Sequence, residues 1–297
     1  MPASLTITEI ATQPECWQRA AGLAATEGGK LPRRGERVAV LGCGTSWFMA
    51  QSYAALREEG GHGETDAFAA SEFPFGRRYD RVVALTRSGT TTEVLRACER
   101  LRAAGVPVTA VTADPATPVM EQADEVVVLD FADERSVVQT RFATTALTLL
   151  RAHLGEDLTA AVADARRAVE GEVADPRTLS AEQFTFLGTG WTCGLAQEAA
   201  LKMREAAGAW TEAYPAMEYR HGPISITGPG RAVWSFGPLP EGLAENIARV
   251  GGHLEPSPLA DPLADLIRAQ RLAVAIAEAK GYDPDRPRNL TRSVVLS

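Results

Sequence analysis

The sequence predicts an α/β protein with two parallel β-sheets, each covered on both faces by helices. Short, almost uninterrupted apolar segments alternate with helical segments, which is the pattern of parallel strands buried on both faces. A glycine turn also recurs, because Leu41–Gly44 is matched by Leu187–Gly190 about half a chain later in the 297 residues. We therefore expect two copies of one α/β unit.

The apolar segments of the first half are predicted strands, and a helix follows each glycine-rich or hydroxyl-rich turn. The predicted strands are Val38–Leu41, Arg81–Leu85, Val106–Thr112 and Glu125–Leu129. The predicted helices are the first thirty residues, Trp47–Glu59, Glu93–Ala104, Pro118–Gln122 and Val138–Leu154.

The second half repeats the pattern less clearly. After a predicted linking helix, Leu158–Val173, a strand–turn–helix segment begins at Phe184, and Arg231–Phe236 is the next apolar segment. A helix is predicted over Leu263–Lys280, but residues 237–262 contain no comparable strand. We expect a reduced second sheet, and three parts: 1–154 with the N-terminal helix and first α/β domain, the link 155–180, and the shortened domain and tail at 181–297.

Composition and charge exclude several classes of protein. Hydrophobic residues make up 45% and charged residues 23% of the chain, as in ordinary globular proteins, and no secretion signal or membrane-spanning segment is visible. A net charge of −8 argues against nucleic acid or a membrane surface as partner. The four cysteines lack metal-type spacing, so we expect reduced thiols, a cytoplasmic location and no metal.

Two polar loops follow predicted strands of the first half. Gly42–Ser46 places two glycines and two hydroxyls at a helix N-terminus, where free amides attract anions. Taken alone, it fits a simple tight turn equally well, and Trp47 stands where a dinucleotide fingerprint needs a small residue. Thr86–Thr92 holds five hydroxyls, a glycine and Arg87, whose guanidinium could add a bidentate contact to phosphate. Because ligands gather at the carboxyl ends of parallel strands, the two loops together predict a phosphate site.

Charged residues of the second half offer a weaker signal. Glu198, Lys202 and Glu205 share one face of the predicted helix after the second glycine turn. By spacing alone, the simpler interpretation is a salt-bridged, solvated face. His221 lies in the turn-forming segment Tyr219–Pro223, and a lone histidine is more often structural than catalytic.

Six motifs in this order resemble double sugar-isomerase (SIS) domain proteins. They are Gly42–Ser46, Thr86–Thr90, Glu134–Thr140, Glu198–Glu205, Arg220–Pro223 and Asp283–Leu290. The chain resembles the isomerase half of glucosamine-6-phosphate synthase and related amino-sugar-phosphate deaminase/isomerases over about residues 36–150, 183–237 and 282–293. The resemblance implies two SIS-type three-layer α/β/α units with parallel sheets, the second one reduced.

The resemblance implies a binding role for several residues of the first half. The positions that match phosphate contacts are Ser46, Thr86, Ser88 and Thr91. Arg87 stands where the synthase has glutamine, and Gln139 lies in the segment that closes over the sugar.

The resemblance also implies catalytic residues. Glu205 matches the glutamate that moves protons between C1 and C2, and Lys202 matches a lysine of the same site. His221 matches a histidine that assists ring opening from a neighbouring subunit, which implies a homodimer. Arg292 replaces a lysine near the sugar carbonyl; an arginine is too basic to shuttle protons, but it can stabilise an oxyanion.

The predicted function is that of a cofactor-free enzyme acting on a hexosamine 6-phosphate through proton abstraction at C2. Reprotonation at C1 would make it an aldose–ketose isomerase, loss of the amine a deaminase, and expulsion of the C3 hydroxyl from N-acetylglucosamine 6-phosphate a dehydrating lyase. The sequence begins Met1-Pro2, without a glutaminase nucleophile, so we expect no amide transfer from glutamine. A non-catalytic sugar-phosphate sensor is the alternative from another class.

Overall fold

The computed structural model describes residues 3–296, which form two compact units. Within the described residues, the first-sheet unit comprises 15–158 and 291–296, and the second-sheet unit comprises 3–14 and 159–290. Residues 291–296 thus belong to the first-sheet unit. The division into 1–154, 155–180 and 181–297 stays a prediction.

The helices alternate with the strands along most of the chain. The helices are α1 Leu5–Ala11, α2 Gln13–Glu27, α3 Thr45–Glu59, α4 Thr92–Ala103, α5 Val119–Gln122, α6 Arg141–His153, α7 Thr159–Glu170, α8 Pro176–Leu179, α9 Thr192–Ala207, α10 Leu243–Arg249 and α11 Pro262–Ala279. Within residues 3–296, no helix combines the length and the hydrophobicity needed to cross a bilayer.

The single helix predicted for the first thirty residues is divided in two. α1 ends at Ala11 and α2 begins at Gln13, with Pro14 in the first turn of α2. Proline lacks the N–H that would continue the hydrogen bonds of α1, whereas a first turn needs no such donor. The apolar spacing indicated helix on both sides but could not locate this break.

The first sheet has five parallel strands. They are β1 Val38–Gly42, β2 Thr65–Ala69, β3 Arg81–Leu85, β4 Val108–Thr112 and β5 Glu125–Val128, in the order β2-β1-β3-β4-β5. β1 and β4 are buried along their whole length, which is why they appear in the sequence as continuous apolar segments. The sequence did not reveal β2, because it pairs with β1 alone and is half-exposed beyond Thr65.

The second sheet has four parallel strands in the described residues. They are β6 Gln183–Gly188, β7 Trp210–Pro215, β8 Arg231–Phe236 and β9 His253–Leu254, in the order β7-β6-β8-β9. β6 and β8 are buried and were predicted. The edge strands β7 and β9 were missed, since β7 begins at an exposed Trp210 and ends at a proline, and β9 has only two residues. The reduction of this unit relative to related domains stays a prediction.

The two glycine turns have the same local geometry. Gly42 ends β1 and Gly188 ends β6, and Gly44 and Gly190 adopt φ angles of 53° and 58°, in the left-handed region that glycine tolerates. A Cβ atom on Gly42 would lie 2.7 Å from the carbonyl carbon of Ser46, and one on Gly188 only 2.3 Å from the carbonyl oxygen of Thr192. The same close approach of helix to strand in both halves supports two copies of one unit.

Candidate functional site

The glycine turn of the first-sheet unit presents a hydroxyl that forms no hydrogen bond with residues 3–296. Ser46 lies in the first turn of α3 with only 5% of its surface exposed. Its N–H donates to the Cys43 carbonyl at 3.2 Å, but its hydroxyl has no hydrogen bond to any described residue. Burial raises the pKa of the neighbouring Cys43 thiol to about 11, so this thiol is neutral near pH 7 and a poor nucleophile.

The second polar loop joins β3 to α4. Thr86 and Ser88 are buried, and Ser88 accepts hydrogen bonds from the hydroxyl and the N–H of Thr90 at 3.0 and 3.3 Å. Thr91 occupies the N-cap position of α4 without a capping bond from its side chain. A Cβ on Gly89 would lie 2.0 Å from the Thr117 hydroxyl, so the loop needs glycine there. Its hydroxyls therefore sit at a helix N-terminus that can receive an anion.

The segment before α6 carries a buried amide donor. The Glu134 carboxylate accepts the backbone N–H groups of Thr140 and Arg141 at 2.6 and 2.8 Å and thereby caps α6. Gln139 lies within this segment, and its side-chain NH2 group is buried without a partner among the described residues. A buried donor left unsatisfied is costly, and this one is therefore a candidate contact for a bound ligand.

Arg87 makes bonds that its predicted phosphate contact did not include. Its guanidinium donates to the carbonyls of Ser136 and Arg292 at 3.1 and 2.8 Å and lies 3.7 Å from the Glu134 carboxylate. The side chain is 4% exposed. Arg87 thus joins segments of the first-sheet unit, and its contact with phosphate stays a prediction.

Arg292 belongs to the same unit, in the C-terminal tail. Its guanidinium forms an ion pair with Asp133, and its Nε donates to the Glu134 carbonyl at 3.1 Å. Asp133 therefore partly neutralises its charge. The first-sheet unit contains one group of predicted residues: Ser46, Thr86, Arg87, Ser88, Thr91, Gln139 and Arg292.

The second-sheet unit carries the remaining predicted residues, Lys202, Glu205 and His221. On α9, the Lys202 ammonium lies 3.5 Å from the Glu198 carboxylate and forms an ion pair with Glu205. The exposed fractions of these side chains are 0% for Glu198, 1% for Lys202 and 19% for Glu205. The simpler interpretation of a solvated face is wrong, because α9 packs this face into the protein.

Of the three charged residues on this face of α9, Glu205 is the one whose side chain reaches open space. It lines a cavity of about 540 Å³ within the second-sheet unit, whose other lining residues include Arg204, Tyr282, Asp283, Arg286 and Arg288. Lys202 behind it is surrounded by protein. A partly exposed carboxylate beside a buried ammonium is suited to exchange a proton with a bound molecule.

His221 ends a short 3-10 turn, Glu218–His221, and is exposed. The turn is anchored by the buried Tyr219, which hydrogen-bonds Thr227, and by Arg220, which donates to the Glu241 carbonyl. The exposed position leaves the imidazole accessible to a ligand or to another chain.

Sequence reasoning assigned no role to Glu134 or Glu198. Glu134 precedes the helix it caps by seven residues, outside the spacing of known capping motifs. Glu198 is followed by Ala199 and Ala200, an apolar setting that could have indicated burial. Within residues 3–296, no three His, Cys, Asp or Glu side chains lie together as metal ligands.

The two glycine turns allow a matched test of the predicted phosphate contact at Ser46. We expect Ser46→Ala to weaken binding of inorganic phosphate about tenfold, because one hydrogen bond to a charged group is lost, with little change in thermal stability. Thr192→Ala, the equivalent change in the second turn, removes bonds to the Thr189 N–H and the Phe236 carbonyl. It should lower stability by about 1–2 kcal/mol and leave phosphate binding unchanged. Calorimetric titration and thermal melts measure both; equal phosphate affinity in Ser46→Ala and the wild type would contradict the assignment.

Residues 33–154 match the family model of the SIS domain. This segment is a SIS domain. The chain is 29% identical to the glutamine–fructose-6-phosphate aminotransferase (isomerizing) of Pyrobaculum aerophilum, over 98% of this chain and 57% of that protein. It is 31% identical to that of Aeropyrum pernix, over 94% and 53%. The chain thus spans about half the length of these relatives.

The fold has a close match among solved structures. Glucosamine-6-phosphate deaminase from Thermotoga maritima superimposes with a TM-score of 0.80 and 23% identity, over 99% of this chain and 100% of that one. Two parallel sheets in an SIS-like α/β fold are therefore common to both proteins. The resemblance stated from the sequence is confirmed.

Proposed function

We propose that this protein is a sugar-phosphate enzyme of the isomerase/deaminase type that acts on a hexosamine 6-phosphate by removing the proton at C2. The observation that carries the proposal is Glu205, a partly exposed carboxylate at a cavity wall, held beside the buried ammonium of Lys202. The names of similar proteins contain fructose 6-phosphate and glucosamine 6-phosphate, sugars that interconvert at C1 and C2.

The phosphate group serves as a handle. Ser46, Thr86, Ser88 and Thr91 would bind its oxygens through hydroxyls, and Gln139 would donate its unpartnered NH2 group to the sugar. Binding energy from this end, remote from the reacting carbons, restricts the open-chain sugar to a reactive position. The proposal thus gives the SIS domain of residues 33–154 the task of binding.

The proton transfer is assigned to α9. Glu205 accepts the proton from C2, and the electron pair of the C–H bond moves toward C1, so negative charge develops on the carbonyl oxygen. A cation stabilises this charge; the first candidate is Lys202, whose buried ammonium would act from behind Glu205 rather than by direct contact, and the second is Arg292. Glu205 then returns the proton to C1. With an amine on C2, this gives an imine at C2, and addition of water to that carbon releases ammonia and leaves the C2 ketone. His221 would assist ring opening from the partner of a homodimer.

A product assay tests the proposal. The purified protein is incubated separately with glucosamine 6-phosphate, N-acetylglucosamine 6-phosphate and fructose 6-phosphate. Three quantities are then measured: the ammonia released, the ketose or aldose formed, and the ultraviolet absorbance. Ammonia or isomerised sugar is the expected result. An ultraviolet-absorbing product from the N-acetylated sugar alone would show a dehydrating lyase instead. Binding without any product would support the non-catalytic sensor and overturn the proposal.

Two further properties stay predictions of the sequence. They are the homodimer in which His221 acts across the interface, and the cytoplasmic location. A molecular mass measured by light scattering addresses the first of them.

A further inference from the structure

We propose that Arg87 is a positioning residue. Its guanidinium holds the C-terminal tail and the 134–140 segment next to the polar loop Thr86–Thr92, the predicted phosphate-binding loop. The expected effect of Arg87 on ligand binding rests on the proposed function, because the phosphate site that Arg87 would shape is part of that proposal. The contacts on which it is based all lie within the first-sheet unit.

The tail runs along the loop that precedes α4. The N–H of Thr92, the first residue of α4, donates to the Val294 carbonyl at 3.1 Å. The N–H of Leu296 donates to the Thr92 hydroxyl at 2.8 Å, and the Thr90 and Ser293 hydroxyls are 2.9 Å apart. The tail thus takes up one of the amides that the helix terminus would otherwise offer to an anion.

Arg87 connects this tail to a third segment. One guanidinium nitrogen donates to the Ser136 carbonyl at 3.1 Å, and another donates to the carbonyls of Val137 and Arg292 at 3.4 and 2.8 Å. A planar guanidinium with five donors can serve acceptors in several directions at once. A glutamine side chain has two donors and could not replace this set.

Charge adds a second reason for arginine. The Glu134 side chain is fully buried and caps α6, and Arg87 is a cation 3.7 Å from it. Removing one partner of a buried ion pair leaves an uncompensated charge, which the surrounding structure tends to avoid by opening. Arg87 therefore stabilises the position of the segment that carries Gln139.

The consequence concerns ligand binding. Thr86 and Ser88 flank Arg87 in the sequence, and Gln139 lies in the segment that Arg87 holds. Phosphate-contacting groups on separate segments are then kept in place by a residue that need not touch phosphate itself. This arrangement explains why an arginine can stand at a position where a direct contact was predicted.

Hydrogen exchange measured by mass spectrometry tests this positioning role of Arg87 without any substrate. In Arg87→Gln, we expect peptides covering residues 86–95 and 134–145 to exchange about tenfold faster, the effect of losing a charge-assisted hydrogen bond. Trypsin should also remove residues 293–297 faster, because the tail is released. The matched control is Arg102→Gln, which removes an ion pair with Asp124 at the far end of α4.

Unchanged exchange and tail cleavage in a folded Arg87→Gln protein would overturn the proposal, as would equal effects in Arg102→Gln. If the glutamine variant does not fold, Arg87→Lys takes its place, because it keeps the charge near Glu134 but loses the forked donors. The same peptides should then exchange faster than in the wild type, and unchanged exchange would overturn the proposal. Where the wild type turns over a sugar phosphate, Arg87→Gln should raise KM about tenfold with a smaller effect on kcat. Absence of wild-type turnover would instead refute the proposed function and leave the exchange result intact.

Discussion

Replacing Glu205 with glutamine is expected to reduce turnover of a hexosamine 6-phosphate by about 10²–10⁴-fold, the usual contribution of a positioned acid–base group. The amide has the shape of the carboxylate and can still accept a hydrogen bond from Lys202, but it cannot take a proton from C2. Binding of the sugar phosphate should change little, because its phosphate contacts are assigned to hydroxyls of the SIS domain. Steady-state kinetics and calorimetric titration measure the two effects separately.

A matched control separates chemistry from charge. Glu212→Gln removes the same negative charge from β7, where Glu212 accepts a hydrogen bond from the Tyr214 hydroxyl at 3.0 Å. Glu212 does not line the cavity that contains Glu205, so near wild-type turnover is expected. Full activity in Glu205→Gln would remove Glu205 from the mechanism, and loss of binding in that variant would indicate a structural role.

Gly188→Ala should be among the most destabilising single methyl additions in this chain. The added Cβ would lie 2.3 Å from the Thr192 carbonyl oxygen and 2.6 Å from the Cys193 nitrogen, both backbone atoms that cannot rotate away. Separating α9 from β6 costs packing, and we expect a loss of about 3 kcal/mol. For a unit of this size, that loss corresponds to a melting temperature about 6–12 °C lower.

Gly22→Ala is the matched control for this effect. Gly22 lies in α2, and a Cβ there would meet no atom within 4 Å. Alanine in an open helical position should raise stability by up to about 1 kcal/mol. Thermal melts of both variants by circular dichroism give the comparison. Equal melting temperatures would contradict the close approach at the second glycine turn.

The two glycine turns share a backbone geometry but differ in the hydrogen bonds of a hydroxyl in the first turn of the following helix. In the second turn, the Thr192 hydroxyl accepts the Thr189 N–H and donates to the Phe236 carbonyl, so it is occupied by the fold. In the first turn, the Ser46 hydroxyl is buried without such partners among the described residues. The hydroxyl of the repeated turn is thus occupied by the fold in the second half and available in the first, where we propose that it binds a ligand.

Much of the fold could be predicted because burial on both faces requires continuous apolar strands. β1, β3, β4, β6 and β8 satisfy that requirement, and each could be recognised in the sequence. A strand paired on one side need not show this pattern. Of the edge strands, β5 could still be recognised from its apolar segment, whereas β2, β7 and β9 could not. The break between α1 and α2 likewise depends on the local hydrogen-bonding limits of Pro14.

Residue types and their order determined the fold class, the resemblance to SIS domains and the candidate residues of this protein, because apolar periodicity and motif order are properties of the chain itself. Only the tertiary structure decided where those residues lie. It buried Glu198 and Lys202 and left Glu205 at a cavity, and it directed Arg87 to Glu134 and the tail. Burial and long-range hydrogen bonds depend on contacts between segments that are far apart in the sequence, so local residue spacing cannot predict them.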